Sequence, residues 1–267
     1  MKKKRMLPYI VLILVCLFLI LPLLITGIYS FARNWDGLLP SDFTLDYYGQ
    51  VFYDRRFIPS VIKGIGISLL PILISNVFVI LSLYTAIAYY PGLEKYIQAI
   101  CMIPNILKGI ILAIPVLALY AGKGGFIGNR IVMLTFVYCV VILPYVYNGI
   151  RNNLHGIHVN QLLEAAQILG ADKLYAFMKI IVPNMVTGIM VSSLLSMSII
   201  FGDFAIVKIV AGSKFITVQQ LLYNNRTSPI QYQSAVVLIM FVVTFIISGA
   251  AFLYQNHMNR KINKSHE

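Results

Sequence analysis

Charged side chains are scarce in this sequence. Only 11% of its 267 residues are Asp, Glu, Lys or Arg, whereas 59% are hydrophobic and the mean hydropathy is +0.83. A soluble domain carries about 25% charged residues because its surface faces water. The deficit excludes an ordinary soluble protein and indicates that much of the surface faces lipid.

Clusters of metal-binding or redox-active side chains are also missing. Cys16, Cys101 and Cys139 lie far apart within apolar runs, and no histidine pattern accompanies them, so neither a zinc site nor a redox pair is predicted. The glycine-rich segment at residues 122–125 lacks the Gly-Lys-Ser/Thr ending of a phosphate-binding loop. The sequence therefore predicts no metal site and no catalytic residue in this chain, which we expect not to be an enzyme.

Acidic residues are few, so 21 Lys and Arg against 9 Asp and Glu give a net charge of +12. The basic residues stand at the ends of apolar runs rather than together on one soluble face with interleaved aromatic residues. This distribution argues against a nucleic-acid partner. It is typical of the positive charges that orient membrane spans.

Long apolar runs are what the sequence has in abundance. A membrane-spanning helix needs about 20 mostly apolar residues, and six runs meet that requirement. We therefore predict an all-α membrane protein with one transmembrane domain, residues 1–267, in contact with lipid. The predicted spans are residues 7–31, 64–90, 97–120, 131–150, 184–210 and 234–255.

The ends of the runs predict an orientation. The first run is far longer than the 7–15 apolar residues of a signal peptide, so we expect it to be retained as a span. Basic clusters at residues 2–5 and 260–264 predict that both termini are cytoplasmic. With six spans, the long polar loop at residues 151–183 is then cytoplasmic as well.

This loop has the pattern of a helix–turn–helix. Residues 160–169 are apolar and polar at helical spacing, and Gly170 fits the left-handed position that closes a helix. Asp172 stands where the N-cap of a second short helix belongs. Ala165 and Ala166 are small, which would let a partner approach the first helix closely.

The spacing within the loop fits the pattern E-A-A-x3-G-x9-I-x-L-P with one departure, Val182 in place of leucine. The chain thereby resembles the permease subunits of binding-protein-dependent ABC importers, which carry this EAA loop on the cytoplasmic side. The resemblance extends from the first span to Tyr254. The matching residues are Glu164, Ala165, Ala166, Gly170, Ile180 and Pro183.

The resemblance implies the type I ABC importer permease fold, with a cytoplasmic coupling helix pair, in the plasma or inner membrane of a prokaryotic cell. It implies three kinds of partner: cytosolic ATPase subunits, a second permease subunit that is identical or related, and an extracytoplasmic substrate-binding protein. ATP and Mg²⁺ would be bound by the ATPase, and this chain would hold no cofactor. The residues expected to couple to the ATPase are Glu164, Ala165, Ala166, Gly170, Leu163 and Asp172.

Two charges lie inside the fifth predicted span. A charge at the bilayer centre costs about 2.5–3.5 kcal/mol on insertion scales, so Asp203 is expected either to line the pathway or to form an interhelical hydrogen bond. Lys208 is expected to reach toward the outer interface. The candidate pathway residues are Asp203, Ser198, Phe201 and Lys208.

The substrate is less constrained than the fold. Residues 195–205 and 212–219 resemble the polyamine and aminoalkylphosphonate branch of the family, which implies a small polar solute such as spermidine or putrescine. The alternatives are 2-aminoethylphosphonate, iron(III) or another small solute. An intramembrane enzyme would need converging His, Asp or Cys on neighbouring spans, and an assembly subunit would leave the EAA spacing unexplained.

Overall fold

The computed structural model describes residues 6–34, 42–107, 109–126 and 128–264. These residues are largely helical, and the β contact among them is an isolated bridge between Ala32 and Phe43. The predicted all-α fold is thereby confirmed. The α-helices, in chain order, are α1 (Met6–Phe31), α2 (Asp46–Tyr53), α3 (Phe57–Ala88), α4 (Glu94–Ile106), α5 (Gly109–Tyr120), α6 (Arg130–His155), α7 (Val159–Ile168), α8 (Lys173–Ala176), α9 (Val182–Asn184), α10 (Val186–Gly202), α11 (Ala205–Val210), α12 (Val218–Asn224) and α13 (Ile230–Lys264).

Within the described residues, four helices are long and apolar enough to cross a membrane. Two further pairs of shorter helices meet the same test when each bent pair counts as one span, which gives up to six. The four long segments are Pro8–Phe31, Phe57–Ala88, Arg130–Leu154 and Ile230–Gly249.

The third predicted span, residues 97–120, is divided between two helices in the structure. Helices α4 and α5 are inclined by 91° to each other. Pro104 lies in the last turn of α4 and Gly109 begins α5, and both residue types weaken a continuous helix. Lys108, which interrupts the apolar run, lies outside the described residues.

The fifth predicted span, residues 184–210, is also interrupted. Helix α10 ends at Gly202, Asp203 takes an extended backbone conformation with φ −80° and ψ 128°, and α11 follows. Before α10, the segment Lys173–Asn184 meets Val186–Gly202 at 62°. Within that segment, Phe177–Ile181 forms a π-helical turn.

The chain divides into two compact units. The first comprises Met1–Pro59 and Leu221–Ile247, and the second comprises Ser60–Gln220 and Ser248–Glu267. In the first unit, the Ser30 hydroxyl lies 2.7 Å from the Tyr48 hydroxyl and ties α1 to α2. The candidate coupling and pathway residues all belong to the second unit.

The core of the second unit is built around α6. One face of this helix is fully buried, and its large residues recur every three or four positions, as a helix facing a core requires. Glycines allow α10 to approach closely, because a Cβ on Gly188 would lie 2.5 Å from Asn153 Cβ and a Cβ on Gly149 would overlap Ser192. The buried residues of α6 include Leu134, Tyr138, Ile142, Val146 and Ile150.

Candidate functional site

Helix α7 ends in a Schellman motif built on Gly170. This glycine has φ +82°, which confirms the predicted left-handed position. Its N–H donates to the Gln167 carbonyl at 2.9 Å, and the Ala171 N–H donates to the Ala166 carbonyl at 3.0 Å. The turn therefore fixes the direction in which the chain leaves α7.

Asp172 occupies the N-cap position of α8, as predicted, with an extended backbone at φ −66° and ψ 148°. Its carbonyl accepts from the Ala176 N–H at 2.9 Å. Its side chain makes no capping hydrogen bond. The position is therefore confirmed, whereas a side-chain contribution to the cap is not observed.

The two faces of α7 have different surroundings. Leu163 and Ala166 are only 6% and 4% exposed and pack into the core of their own chain. Glu164 and Ala165 are exposed on the outer face of the helix. Of the two small residues expected to admit a partner, only Ala165 is therefore accessible, because Ala166 is already covered by this chain.

The C-terminal end of α7 carries an apolar surface. Ile168 and Leu169 are each 86% exposed and lie next to the exposed Gly170. A contiguous exposed apolar surface is typical of a protein–protein contact. Together with Ala165 it gives α7 an outer contact face, and we use this name for Glu164, Ala165, Ile168 and Leu169.

The segment after α7 is fixed to the end of α3. Lys173 Nζ donates to the Ala88 carbonyl at 2.9 Å and lies 5.3 Å from the centre of the Tyr89 ring. The ring of Phe177 packs against that of Tyr84, with 4.9 Å between centroids. A displacement of α7 and α8 would therefore be transmitted to α3.

Asp203 holds the break between α10 and α11. Its Oδ2 accepts from the Tyr138 hydroxyl of α6 and from the Ile206 N–H, both at 2.9 Å. A helix break in a membrane frees backbone groups that need new partners, and Asp203 supplies one at the start of α11. The interhelical hydrogen bond is thus observed, whereas a role in the pathway stays a prediction.

The other three candidate pathway residues are placed differently from one another. Phe201 is buried, and its ring packs so close to Gly64 that a Cβ added to this glycine would lie 3.1 Å from the ring. Ser198 and Lys208 are exposed. Phe201 is therefore covered within this chain, whereas Ser198 and Lys208 are not, and their role in the pathway stays a prediction.

A groove lined by both polar and apolar side chains lies between the C-terminal part of α6 and the N-terminal part of α10. Its volume is about 480 Å³, and no charged side chain lines it within the described part of the chain. We call it the amide groove. Its polar lining consists of Tyr145, Asn148, Asn152, Asn153 and Thr187.

No protein-family model matches the chain. The spermidine/putrescine transport system permease protein PotC of Haemophilus influenzae is 25% identical over 248 residues, which cover 90% of this chain and 94% of that protein. A Salmonella typhimurium protein named as a 2-aminoethylphosphonate transport system permease, PhnV, is 20% identical over 240 residues, or 88% of each protein.

The fold has a counterpart among solved structures. A chain in the crystal structure of a bacterial ABC transporter involved in the import of the acidic polysaccharide alginate matches with a TM-score of 0.72 and 20% identity. The match covers 97% of this chain and 95% of that chain. Full-length relatives, this fold and the EAA spacing all agree with the permease subunits of ABC importers, which the chain resembles.

Three features of the structure escaped the sequence analysis. One is the hydrogen bond from Lys173 Nζ to the Ala88 carbonyl. Another is the ion pair at 2.7 Å between Arg151 Nε and Glu94 Oε1, which joins the C-terminal end of α6 to the start of α4. The third is the amide groove. Its asparagines are visible in the sequence as polar residues at a span's end, but only the packing of α10 on α6 makes them one site.

Proposed function

We propose that this permease forms half of the substrate pathway of an ATP-driven, binding-protein-dependent importer and receives the motion of a cytosolic ATPase through α7. The observation that carries the proposal is the division of α7 into two faces. Leu163 and Ala166 fix the helix to the chain's own core, while the outer contact face is free to meet another protein. Gly170 and Lys173 fix its direction relative to the spans.

The division of labour follows from this role. ATP and Mg²⁺ are bound and hydrolysed by the ATPase subunits, and the permease performs no chemistry. A second permease, identical or related, supplies the other half of the pathway, and an extracytoplasmic binding protein delivers the solute. The N- and C-termini lie in the cytoplasm of a prokaryotic cell, on the same side as α7.

The proposed substrate is a polyamine such as spermidine or putrescine. The support is the similarity to PotC across almost the whole chain. The second candidate is 2-aminoethylphosphonate, because PhnV is similar over 88% of the chain at lower identity. Both solutes carry a primary amine, which iron(III) does not.

The test is a matched pair of alanine-to-tryptophan variants in the chain coexpressed with its ATPase. Ala165→Trp adds bulk to the outer contact face, where overpacking costs about 1–3 kcal/mol. Ala121→Trp adds the same bulk at an exposed position after α5, on the opposite side in the proposed topology. We expect Ala165→Trp to lose the copurified ATPase and Ala121→Trp to retain it.

Two outcomes would contradict the proposal. If the unmodified permease retained no ATPase, an assembly subunit or an intramembrane enzyme would fit better. If Ala165→Trp retained the ATPase and normal ATP-dependent uptake, the outer contact face would not be the coupling surface. Equal loss in both variants would indicate a general defect in folding.

A further inference from the structure

We propose that the amide groove is a subsite at the α7 end of the pathway that receives the primary ammonium group of the solute. This inference rests on the proposed function and adds to it a location and a mode of recognition. The residues of the amide groove lie outside the EAA motif and do not include Asp203. The argument uses the polarity, shape and charge of the groove and its position beside the coupling segment.

The polarity of the groove argues against contact with lipid. Asn148 and Asn152 are both exposed and lie four residues apart on α6, so they share one face of the helix. An amide exposed to hydrocarbon has no partner for its hydrogen-bonding groups, which makes that placement unfavourable. On another face of α6, the exposed residues are Phe136 and Val140, as expected for lipid contact. The amide-bearing face therefore meets water, a solute or another protein.

The shape of the groove favours a solute over a packed protein surface. Its volume of about 480 Å³ falls within the range of about 300–1,000 Å³ that small-molecule sites occupy. The side-chain oxygen of Asn153 is buried at the groove and has no hydrogen-bond partner among the described residues. A rotation of the Asn153 amide toward the groove would let this acceptor receive a hydrogen bond from a bound solute.

The charge of the groove favours an ammonium group. The asparagine oxygens accept hydrogen bonds from N–H groups, and the exposed ring of Tyr145 offers a π face to a cation. No Lys or Arg lines the groove within the described residues, so nothing there repels a cation or attracts an anion. Neutral amides hold an ammonium group without a fixed counter-ion, which suits a solute that must leave again.

The position of the groove connects it to the ATPase cycle. It lies between the last turns of α6 and the first turns of α10, and these are the two helices that the α7–α9 segment joins. Gly149 and Gly188, at which the two helices approach each other closely, border the groove. A displacement of α7 therefore changes the width of the groove and can release the solute.

The first experiment measures uptake with the complete importer and its binding protein in vesicles, with spermidine and putrescine as probes. Asn152→Leu removes the amide, and Asn105→Leu is the control because Asn105 is an exposed asparagine on α4 outside the groove. We expect Asn152→Leu to raise the KM for uptake about tenfold, the effect of losing one or two hydrogen bonds, and the control to remain normal. Asn152→Lys should abolish uptake by repulsion.

Substitution by aspartate tests the sign of the solute's charge. Asn152→Asp keeps the shape and adds a negative charge, so a cationic solute should show a lower KM together with a lower maximal rate because its release is slower. The opposite pattern, with the lower KM in Asn152→Lys and loss of uptake in Asn152→Asp, would indicate an anionic solute and overturn the ammonium assignment. Normal uptake in all three Asn152 variants would overturn the subsite.

The second experiment distinguishes a solute from a protein contact. Asn152→Cys is introduced after replacement of Cys16, Cys101 and Cys139 by alanine, and inside-out vesicles of the complex are treated with a membrane-impermeant cationic thiol reagent. We expect labelling that spermidine slows several-fold, and none at Phe136→Cys. Absence of labelling, or labelling that spermidine does not slow, would overturn the proposal. In every case the copurified ATPase is measured separately, so failure of the subsite is distinguishable from failure of the proposed function.

Discussion

Gly170 holds a backbone conformation that other residues adopt only at a cost. Its φ of +82° lies in the left-handed region, where a residue with a Cβ loses about 1–2 kcal/mol. No atom lies within 4 Å of the position that a Cβ would take, so Gly170→Ala introduces backbone strain without a clash. About 1.4 kcal/mol is a factor of ten in an equilibrium, and the Schellman turn should therefore open about ten times more often.

A series of replacements at position 170 tests the effect of backbone strain, and a control at a second glycine tests whether the location of the strain matters. Asparagine tolerates the left-handed region better than alanine, and valine tolerates it least, so the defect at Gly170 should increase from Asn to Ala to Val. Gly122 provides the control, because it also has a positive φ, +86°, with open space around its Cβ position. Gly122→Ala carries the same kind of strain in the turn after α5, far along the chain from α7.

Three measurements on the reconstituted complex check this prediction. We expect Gly170→Ala to speed amide hydrogen exchange about tenfold at residues 164–171 and to raise the number of ATP molecules hydrolysed per solute imported. Copurification of the ATPase should fall in the order Asn, Ala, Val. If Gly170→Val matched the unmodified chain, or if Gly122→Ala were equally uncoupled, the geometry of this turn would not be what couples the ATPase to the spans.

Three further substitutions test the contacts around the candidate sites. Asp203→Ala should lower the free energy of unfolding by about 1–3 kcal/mol, because it removes the acceptor of the hydrogen bonds from both Tyr138 and Ile206. Asp203→Asn should retain the stability measured by thermal denaturation. If the charge lines the pathway, Asp203→Asn should also lower the uptake of a cationic solute. Gly188→Ala should push α10 away from Asn153 and cost about 1–3 kcal/mol; a thermal midpoint equal to that of the unmodified chain would contradict the close helix contact. Lys173→Met keeps much of the length of the side chain but removes its hydrogen bond to the Ala88 carbonyl of α3. It should uncouple ATP hydrolysis from uptake while the amount of bound ATPase stays unchanged. Normal coupling would refute transmission through that hydrogen bond.

The features that the sequence predicted well are those that depend on neighbours in the chain. The short helix over residues 160–169 is observed as Val159–Ile168, and Gly170 closes it in the left-handed conformation. Both follow from helical periodicity and from the freedom of glycine to adopt a positive φ. Asp172 was placed correctly for the same reason, although its side chain does not cap the helix.

The features that the sequence could not predict depend on residues far apart in the chain. Tyr138 is 65 positions from Asp203, and Lys173 is 85 positions from Ala88. Nothing in either local segment specifies its partner. The inward orientation of Ala166 likewise depends on the core of the second unit, so two adjacent alanines of similar appearance in the sequence have opposite surroundings in the structure.

In the proposed coupling, the opposite surroundings of those alanines would let a short helix transmit a displacement. A helix that only touched the ATPase would move without consequence, and a helix buried on all sides could not be reached. Ala166 and Leu163 fix the inner face of α7 to the core, and Lys173 fixes the following segment to α3, so a push on Ala165 cannot be absorbed by α7 alone. In this proposal the displacement would pass to α3 and to the ends of α6 and α10. Those ends enclose the amide groove, and we infer that the force of the ATPase acts there on the space in which the solute is held.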